Sequence, residues 1–214
     1  MSSGTVREHI YKDSSLVLPI NRAKHGRGIK EKVMKLLSTI FLATLMTTSA
    51  VLAKDVMVGG AAMSDSKTIA QNAPNAKNLT TLVAALKAAG LVETLNGAGP
   101  FTVFAPTNEA FAALPKGTVE NLLKPENKAT LTKVLLYHVV PANASAATAV
   151  KMVKDGGGAH MAKTAEGGSL TLKTRGDKLT VTDASGGTAT VTQADVTQKN
   201  GVVHVIDKVL MPKM

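Results

Sequence analysis

The chain has 214 residues, a formal net charge of +10 at pH 7 and no cysteine. The absence of cysteine excludes disulfide bonds, thiol catalysis and thiolate metal sites. Nucleic-acid binding usually requires clustered basic residues and aromatic platforms, and it is disfavoured here because aromatic residues make up only 3% of the chain.

The first 53 residues are predicted to lie outside the folded domain. Residues 1–33 mix polar and charged types without a clear period, and we interpret them as a non-native or disordered N-terminal extension, with Met34 as the true start. Residues 34–53 combine a basic start, a short apolar run and small residues at a cleavage position, which is typical of a signal peptide. The apolar run over 36–48 is shorter than the roughly 20 residues that span a bilayer. Cleavage after Ala53 is therefore predicted, and an uncleaved anchor with a long cytoplasmic tail is the alternative.

Cleavage at this position would leave a soluble, mildly basic protein in the periplasm or outside the cell. Residues 54–214 contain 17 Lys and Arg against 12 Asp and Glu, and the lysines are scattered singly. Such a surface could attract an anionic polysaccharide, or it could serve only to keep the protein soluble. Nothing after Ala53 is expected to tie the chain to a membrane. We assign residues 54–63 to a short linker and 64–212 to a single domain.

The first half of this domain has the pattern of short helices. The clearest helix opens at Asn78 or Thr80 and ends at Gly90, with leucine and valine at three- and four-residue spacing. Thr107 is a suitable N-cap for a later helix, since its hydroxyl can accept a hydrogen bond from a free backbone N–H. Further helices are predicted over 65–72, 91–95, 108–114 and 127–137.

The second half changes to the two-residue period of β-strands. From about Lys163, apolar and polar residues alternate in segments separated by turns rich in Gly, Asp and Ser, which predicts antiparallel strands joined by hairpins. An earlier strand is predicted over 101–104. The segment 201–210 is almost continuously apolar, so we expect it at the centre of a sheet and covered on both faces. Helices that precede strands in this way indicate an α+β domain.

No group of residues indicates catalysis or a metal centre. The histidines of the domain, His138, His160 and His204, lack the close spacing of zinc or copper ligands. We expect His204 to be a hydrogen-bonded core residue and His160 to lie in a loop. The sequence Ser64-Asp-Ser-Lys67 fits one serine-enzyme pattern, but its companion motifs are absent. No catalytic residue, metal or cofactor is therefore predicted.

The tripeptide Arg175-Gly-Asp177 is predicted to form the tip of a hairpin. Gly-Asp is a favoured two-residue turn, which explains the tripeptide through local structure. The alternative is an adhesive motif of the kind that some integrins bind.

Three blocks of sequence together resemble one known family. They read Gly99-Pro-Phe-Thr-Val-Phe-Ala-Pro-Thr-Asn-Glu-Ala-Phe111, Leu136-Tyr-His-Val-Val-Pro141 and Asn200-Gly-Val-Val-His-Val-Ile-Asp-Lys-Val-Leu-Met-Pro212. In order and spacing they are similar to the first motif, the Tyr-His motif and the second motif of the fasciclin domain. The resemblance implies a β-sandwich wedge with several packed α-helices. It also implies a role in cell adhesion without enzymatic activity.

The resemblance also indicates where a binding site would lie. Tyr137 and His138 match a pair that is linked to integrin-mediated adhesion in animal members. The alternative is structural: a buried His138, hydrogen-bonded to the cap region around Thr107 and Asn108, because an unpaired buried polar group costs about 1–3 kcal/mol. Asn108 stands where many members carry Asp, and either side chain can start a helix. Tyr137, His138, Thr107 and Asn108 are therefore the candidate binding residues.

Two functions are open at this point. The first is a secreted or periplasmic adhesion module that binds a cell-surface or matrix protein or an anionic polysaccharide. The second is a periplasmic carrier or sensor that holds a small apolar ligand or a metal ion between helices and sandwich, near His138 or His160.

Overall fold

The computed structural model describes residues 56–213. The predicted extension over 1–33 and the predicted signal peptide over 34–53 lie outside the described residues. In chain order, the α-helices of the described part are α1 (Ile69–Asn72), α2 (Thr80–Ala89), α3 (Val92–Asn96), α4 (Asn108–Ala112), α5 (Thr118–Leu122), α6 (Lys128–Tyr137) and α7 (Ala146–Asp155). The strands are β1 (Val56–Val58), β2 (Ala61–Met63), β3 (Phe101–Pro106), β4 (Val139–Val140), β5 (Ala159–Lys163), β6 (Ser169–Arg175), β7 (Lys178–Thr182), β8 (Thr188–Gln198) and β9 (Gly201–Ile206). Over residues 56–213, no helix combines the length and apolar character that crossing a bilayer requires.

Hydrogen bonds join seven of the strands into one mixed sheet. Its order is β4-β3-β9-β8-β7-β6-β5, with β3 and β9 parallel and the other neighbours antiparallel. Strand β8 is 11 residues long, and its register with β9 shifts on both sides of Gln193. Such irregularities bend a strand, so β8 can belong to both halves of a folded sheet. The two edges of the sheet meet where the N–H of Ala165 donates to the carbonyl oxygen of Val139 at 2.7 Å.

The folded sheet and the helices enclose two apolar cores. One lies between strands β3 and β9 and the helices, and it includes Leu82 of α2 and Val203 of β9. The other lies inside the folded sheet, where Phe104 and Ile206 pack with residues of β6 and β7. All six residues of β9 are buried. The prediction of a central strand that is covered on both faces is therefore confirmed.

The α+β fold class predicted from the sequence is confirmed. All the helices of the described residues precede β5, and the hairpins predicted after Lys163 are present as β6, β7 and β8. The folded sheet with helices packed against it corresponds to the β-sandwich that the family resemblance implies.

The structure differs from the linker expected over 54–63. Residues 56–63 form the β1–β2 hairpin, and the side chains of Val58 and Met63 are buried in the core on the helical side. Strands of three residues are too short to show a two-residue period, which is why the sequence pattern did not reveal them. The folded part of the chain therefore includes this hairpin.

Several helices and strands between residues 112 and 163 were not predicted from the sequence. Helices α5 and α7 and strand β5 were not predicted, and His160 lies on β5 opposite Leu172 instead of in a loop. Helix α7 buries Ala149 and Val153, four residues apart, after an N-cap at Ser145, so its sequence carries a helical signal that the prediction did not use.

Candidate functional site

Tyr137 and His138 lie at the junction between α6 and β4. The helix ends at Tyr137 and the strand begins at Val139, so two successive side chains turn into the interior. Tyr137 is 1% exposed and His138 is 3% exposed. Both residues are therefore part of the core, and neither presents an accessible surface.

Both ring nitrogens of His138 are hydrogen-bonded to backbone. The N–H of Leu210 donates to Nε2 at 2.9 Å, and Nδ1 lies 2.7 Å from the carbonyl oxygen of Val134. Because a backbone N–H can only donate, Nε2 is the acceptor and the proton is on Nδ1. Burial lowers the pKa of His138 to about 4 from an ordinary value of 6.5. The imidazole is therefore neutral at pH 7 and fastens the C-terminal segment to α6.

The hydroxyl of Tyr137 joins the start of β6 to the loop between β7 and β8 in the same way. It donates to the carbonyl oxygen of Ser169 at 2.8 Å and accepts from the N–H of Ala184 at 3.0 Å. Gly168 lies against its ring, because a Cβ there would be 2.8 Å from a ring carbon. Burial raises the pKa of the Tyr137 hydroxyl, so this group is protonated at neutral pH and available as a donor.

Asp183 completes this arrangement, although sequence reasoning did not single it out. One carboxylate oxygen accepts from the N–H of Met211 at 3.0 Å, and the other accepts from Ser185 and Gly187 at 2.9 and 2.8 Å. The run Asp-Ala-Ser-Gly-Gly is typical of a turn closed by an Asp side chain, but only the fold brings Met211 to it. We call Tyr137, His138 and Asp183 the C-terminal anchor, because His138 and Asp183 bind the backbone of Leu210 and Met211 and Tyr137 binds the segments beside them.

The side chains of Thr107 and Asn108 each cap the N-terminus of a different helix. The hydroxyl of Thr107 accepts from the N–H of Ala110 at 3.3 Å, which confirms the predicted N-cap of α4. The side chain of Asn108 accepts from the N–H of Thr81 at 3.0 Å and donates to the carbonyl oxygen of Lys77 at 3.0 Å. Asn108 therefore caps α2 from a different helix, a contact that sequence reasoning did not foresee.

The structure thus separates the four candidate residues into two pairs. The expected bond from His138 to the Thr107 and Asn108 region is wrong, because both ring nitrogens of His138 bond elsewhere. The expectation that His138 is buried and hydrogen-bonded is confirmed. A binding role for Tyr137, His138, Thr107 or Asn108 stays a prediction.

Replacement of Thr107 by alanine is expected to lower the free energy of unfolding by about 1 kcal/mol, which is typical for loss of an N-cap. The hydroxyl is the acceptor for the N–H of Ala110 in the first turn of α4. Urea unfolding of Thr107→Ala measures the change, with Thr107→Ser as the control that keeps the hydroxyl. Equal stability of the two variants would show that the cap contributes nothing.

His204 of β9, like His138, is hydrogen-bonded to backbone through both ring nitrogens. Its Nε2 lies 2.9 Å from the carbonyl oxygen of Ala144, and its Nδ1 accepts from the N–H of Asp195 at 3.2 Å. Burial lowers the pKa of His204, and its ring stacks on Phe104 with centroids 5.7 Å apart. The prediction of a hydrogen-bonded core histidine is confirmed.

Asn200 links three parts of the chain at the start of β9. Its amide donates to the carbonyl oxygens of Leu95 and Gly97 at 2.8 and 2.7 Å, and its carbonyl oxygen accepts from the N–H of Ile69 at 3.1 Å. Gly201 is equally constrained, because an added Cβ would overlap the backbone carbonyl of Phe101. The Asn-Gly pair at this position therefore sets how closely β9 approaches β3.

Two concave features of the described residues are small. A cleft of about 210 Å³ lies beside the C-terminal anchor and is lined by Thr130, Lys133, Val134, Glu166, Pro212 and Lys213. An apolar cavity between helices and sheet has about 30 Å³, and about 10–15 Å³ is enough to admit one water molecule. Ligand pockets usually have about 300–1,000 Å³. Over residues 56–213, no group of three or more His, Asp or Glu side chains is placed to hold a metal ion.

Comparison with known proteins decides the family. The family model of the Fasciclin domain matches residues 77–212. This chain belongs to the fasciclin domain family. It is 48% identical over 176 residues to Protein sll1483 of Synechocystis sp., an alignment that covers 82% of this chain and 88% of that protein. It is 40% identical over 149 residues to immunogenic protein MPB70 of Mycobacterium bovis, with 67% of this chain and 68% of that protein covered.

Larger proteins contain similar domains. The fasciclin domain described here is 42% identical over 132 residues to transforming growth factor-beta-induced protein ig-h3 of Sus scrofa, which covers 61% of this chain but 17% of that protein. The solved structure of a FAS1 domain pair from the insect cell adhesion molecule Fasciclin I is similar with a TM-score of 0.50 and 26% identity. That match covers 61% of this chain and 43% of the insect chain, so this chain spans less than half of the domain pair.

The three sequence blocks that carry the family resemblance meet in space in this fasciclin domain. The first block supplies β3, which pairs in parallel with β9 of the third block from Phe101 to Pro106. The second block supplies His138, which binds Leu210 of the third. The polar groups of the Tyr-His block are therefore used to assemble the domain.

Proposed function

We propose that this fasciclin domain is an exported, non-enzymatic interaction module that attaches to macromolecules of the cell surface or matrix. Membership of the family supports the proposal, as does the similarity to a domain pair from an insect cell adhesion molecule. The observation that carries it is the internal use of the C-terminal anchor: Tyr137 and His138 bond to backbone and are 1% and 3% exposed. Binding would then depend on exposed outer surfaces of the domain, and the C-terminal anchor would hold those surfaces in place.

A carrier of a small apolar ligand or a metal ion is the second candidate. It needs a cavity between helices and sheet, and the apolar cavity there has about 30 Å³. Metal analysis and native mass measurement of the protein isolated from the periplasm separate the two functions. A stoichiometric metal or a retained small molecule would favour the carrier.

Cross-linking in the producing cells tests attachment directly. The expected result is a covalent adduct of the protein with an envelope polymer or a surface protein, recovered with the washed envelope fraction. Recovery of the protein only as a free species, or turnover of a substrate traced to it, would contradict the proposal.

Export predicts a new N-terminus. We expect the protein recovered from the periplasm or the medium to begin at Lys54, because small residues at the end of the apolar run are the preferred cleavage position. Edman sequencing or intact-mass measurement of the purified protein detects this. A protein that keeps the residues before Lys54 and stays in the cytoplasm would overturn the export part of the proposal.

A further inference from the structure

The outer face of the β6–β7 hairpin carries three cationic side chains. Within these strands Leu170, Leu172, Leu179 and Val181 are buried in the core inside the folded sheet. Because successive side chains of a strand point to opposite faces, Lys173 and Arg175 of β6 and Lys178 of β7 lie on the outer face. All three are exposed. We call Lys173, Arg175 and Lys178 the cationic face.

These charges are close together and lack acidic partners across the hairpin. Arg175 lies directly opposite Lys178 in the register, and Lys173 is opposite Thr180. The ion pair found among residues 56–213 joins Lys151 and Asp155 on α7 and does not involve the cationic face. Like charges directly opposite each other destabilise a sheet. The arrangement is therefore unfavourable for folding alone, and a bound anion would relieve the repulsion.

Threonine hydroxyls continue the same face away from the cations. Thr182 pairs with Thr188 across β7 and β8 and with Thr171 across β6 and β7. Thr180 lies on the same face but is buried, and its hydroxyl donates to the carbonyl oxygen of Lys173 at 3.2 Å. The hydroxyls of Thr182 and Thr188 are 3.0 Å apart. A hydroxyl can donate and accept, so the face offers positive charge at one end and the hydroxyls of Thr171, Thr182 and Thr188, which are exposed or half-buried, beside it.

We propose that this face binds an extended polysaccharide that carries carboxylate or sulfate groups. The inference rests on the proposed function and specifies the partner and the surface. Lys173, Arg175 and Lys178 would contact the anionic groups, and the threonine hydroxyls would exchange hydrogen bonds with the hydroxyls of the sugars. Single-stranded nucleic acid is a poorer fit, because its bases stack on aromatic side chains and β6, β7 and β8 contain none.

The turn of the β6–β7 hairpin allows binding of an anionic polysaccharide to be distinguished from recognition of the Arg-Gly-Asp sequence by a receptor. Gly176 and Asp177 form the turn between Arg175 and Lys178, which confirms the predicted hairpin tip. A receptor for the Arg-Gly-Asp sequence would need the Asp177 carboxylate. A polyanion would instead be repelled by it, so Asp177→Asn has opposite effects under the two readings.

Binding of sodium alginate, a polymer of carboxylated sugars, tests the cationic face in the full chain. The variant Lys173→Gln, Arg175→Gln, Lys178→Gln is compared with the control Lys87→Gln, Lys116→Gln, Lys124→Gln, which removes three exposed charges from the helical part. We expect the first triple variant to weaken alginate binding roughly tenfold or more and to flatten its dependence on salt. We expect the control to change affinity less than about twofold, with both variants folded by circular dichroism.

Three further measurements complete the test. Asp177→Asn is expected to strengthen alginate binding, and neutral dextran is expected not to bind. Equal losses in the two triple variants, weaker binding by Asp177→Asn, or single-stranded DNA bound as tightly as alginate would each overturn the inference. If alginate does not bind but the protein still cross-links to the envelope, this inference fails and the proposed function stands.

Discussion

His138→Ala is expected to lower the free energy of unfolding by about 3–4 kcal/mol, since it combines a buried cavity with two lost hydrogen bonds. The substitution leaves the N–H of Leu210 and the carbonyl oxygen of Val134 without their partner in the core. The backbone of Leu210 would lose its hydrogen bond to a side chain, while the bond from Met211 to Asp183 would remain. Urea unfolding followed by circular dichroism measures the loss.

His160→Ala is the matched control for this prediction. His160 is partly exposed on β5, at one edge of the sheet, so its removal is expected to cost less than about 1 kcal/mol. A His138→Ala protein as stable as the control would contradict the structural role of the C-terminal anchor. Lost surface binding at unchanged stability would make His138 a binding residue.

Acidification from about pH 7 to about pH 4.5 is expected to lower the free energy of unfolding by on the order of 3 kcal/mol. The pKa of His138 is about 4 in the folded protein, against an ordinary value of 6.5. Between these values the unfolded chain binds a proton that the folded chain does not. Stability is therefore full above about pH 6.5 and falls as the pH approaches 4. The lowered pKa of His204 acts in the same direction.

A series of urea titrations across this pH range measures the effect. His138→Gln removes the ionisable group while keeping a side chain that can donate and accept, so its stability should depend less on pH than that of the unchanged chain. A free energy of unfolding that is constant between about pH 7 and about pH 4.5 in the unchanged chain would show that the folded state binds the proton after all.

These two predictions bear on how adhesion assays of this domain should be interpreted. A substitution at Tyr137 or His138 changes groups that bind the loops and the C-terminal segment. Reduced attachment by such a variant would follow from altered packing even if neither residue touches a partner. Substitutions on the cationic face avoid this ambiguity, because Lys173, Arg175 and Lys178 are exposed.

Local sequence patterns were sufficient to predict the helices and strands in which buried residues recur at a regular spacing. The leucines of α2, the alternation in β6 to β8 and the apolar run of β9 predicted those elements, because burial of one face or of both leaves a period in the sequence. The cap at Thr107 and the glycine end of α2 were equally readable, since each depends on a few neighbouring residues. The short β1–β2 hairpin left no such period.

The sequence by itself determined the α+β class, the fasciclin family and the absence of thiol chemistry. Only the tertiary structure decided what the polar residues of the family blocks do and what Asp183, which lies outside them, does. His138 bonds to Leu210, Asp183 to Met211 and Asn108 to Thr81, and these partners are 72, 28 and 27 positions apart in the chain. Spacing of this kind carries no periodic signal, because the partners become neighbours only when β3, β9 and the helices pack together. The cationic face also depends on the tertiary structure, because the register of β6 and β7 places Arg175 opposite Lys178.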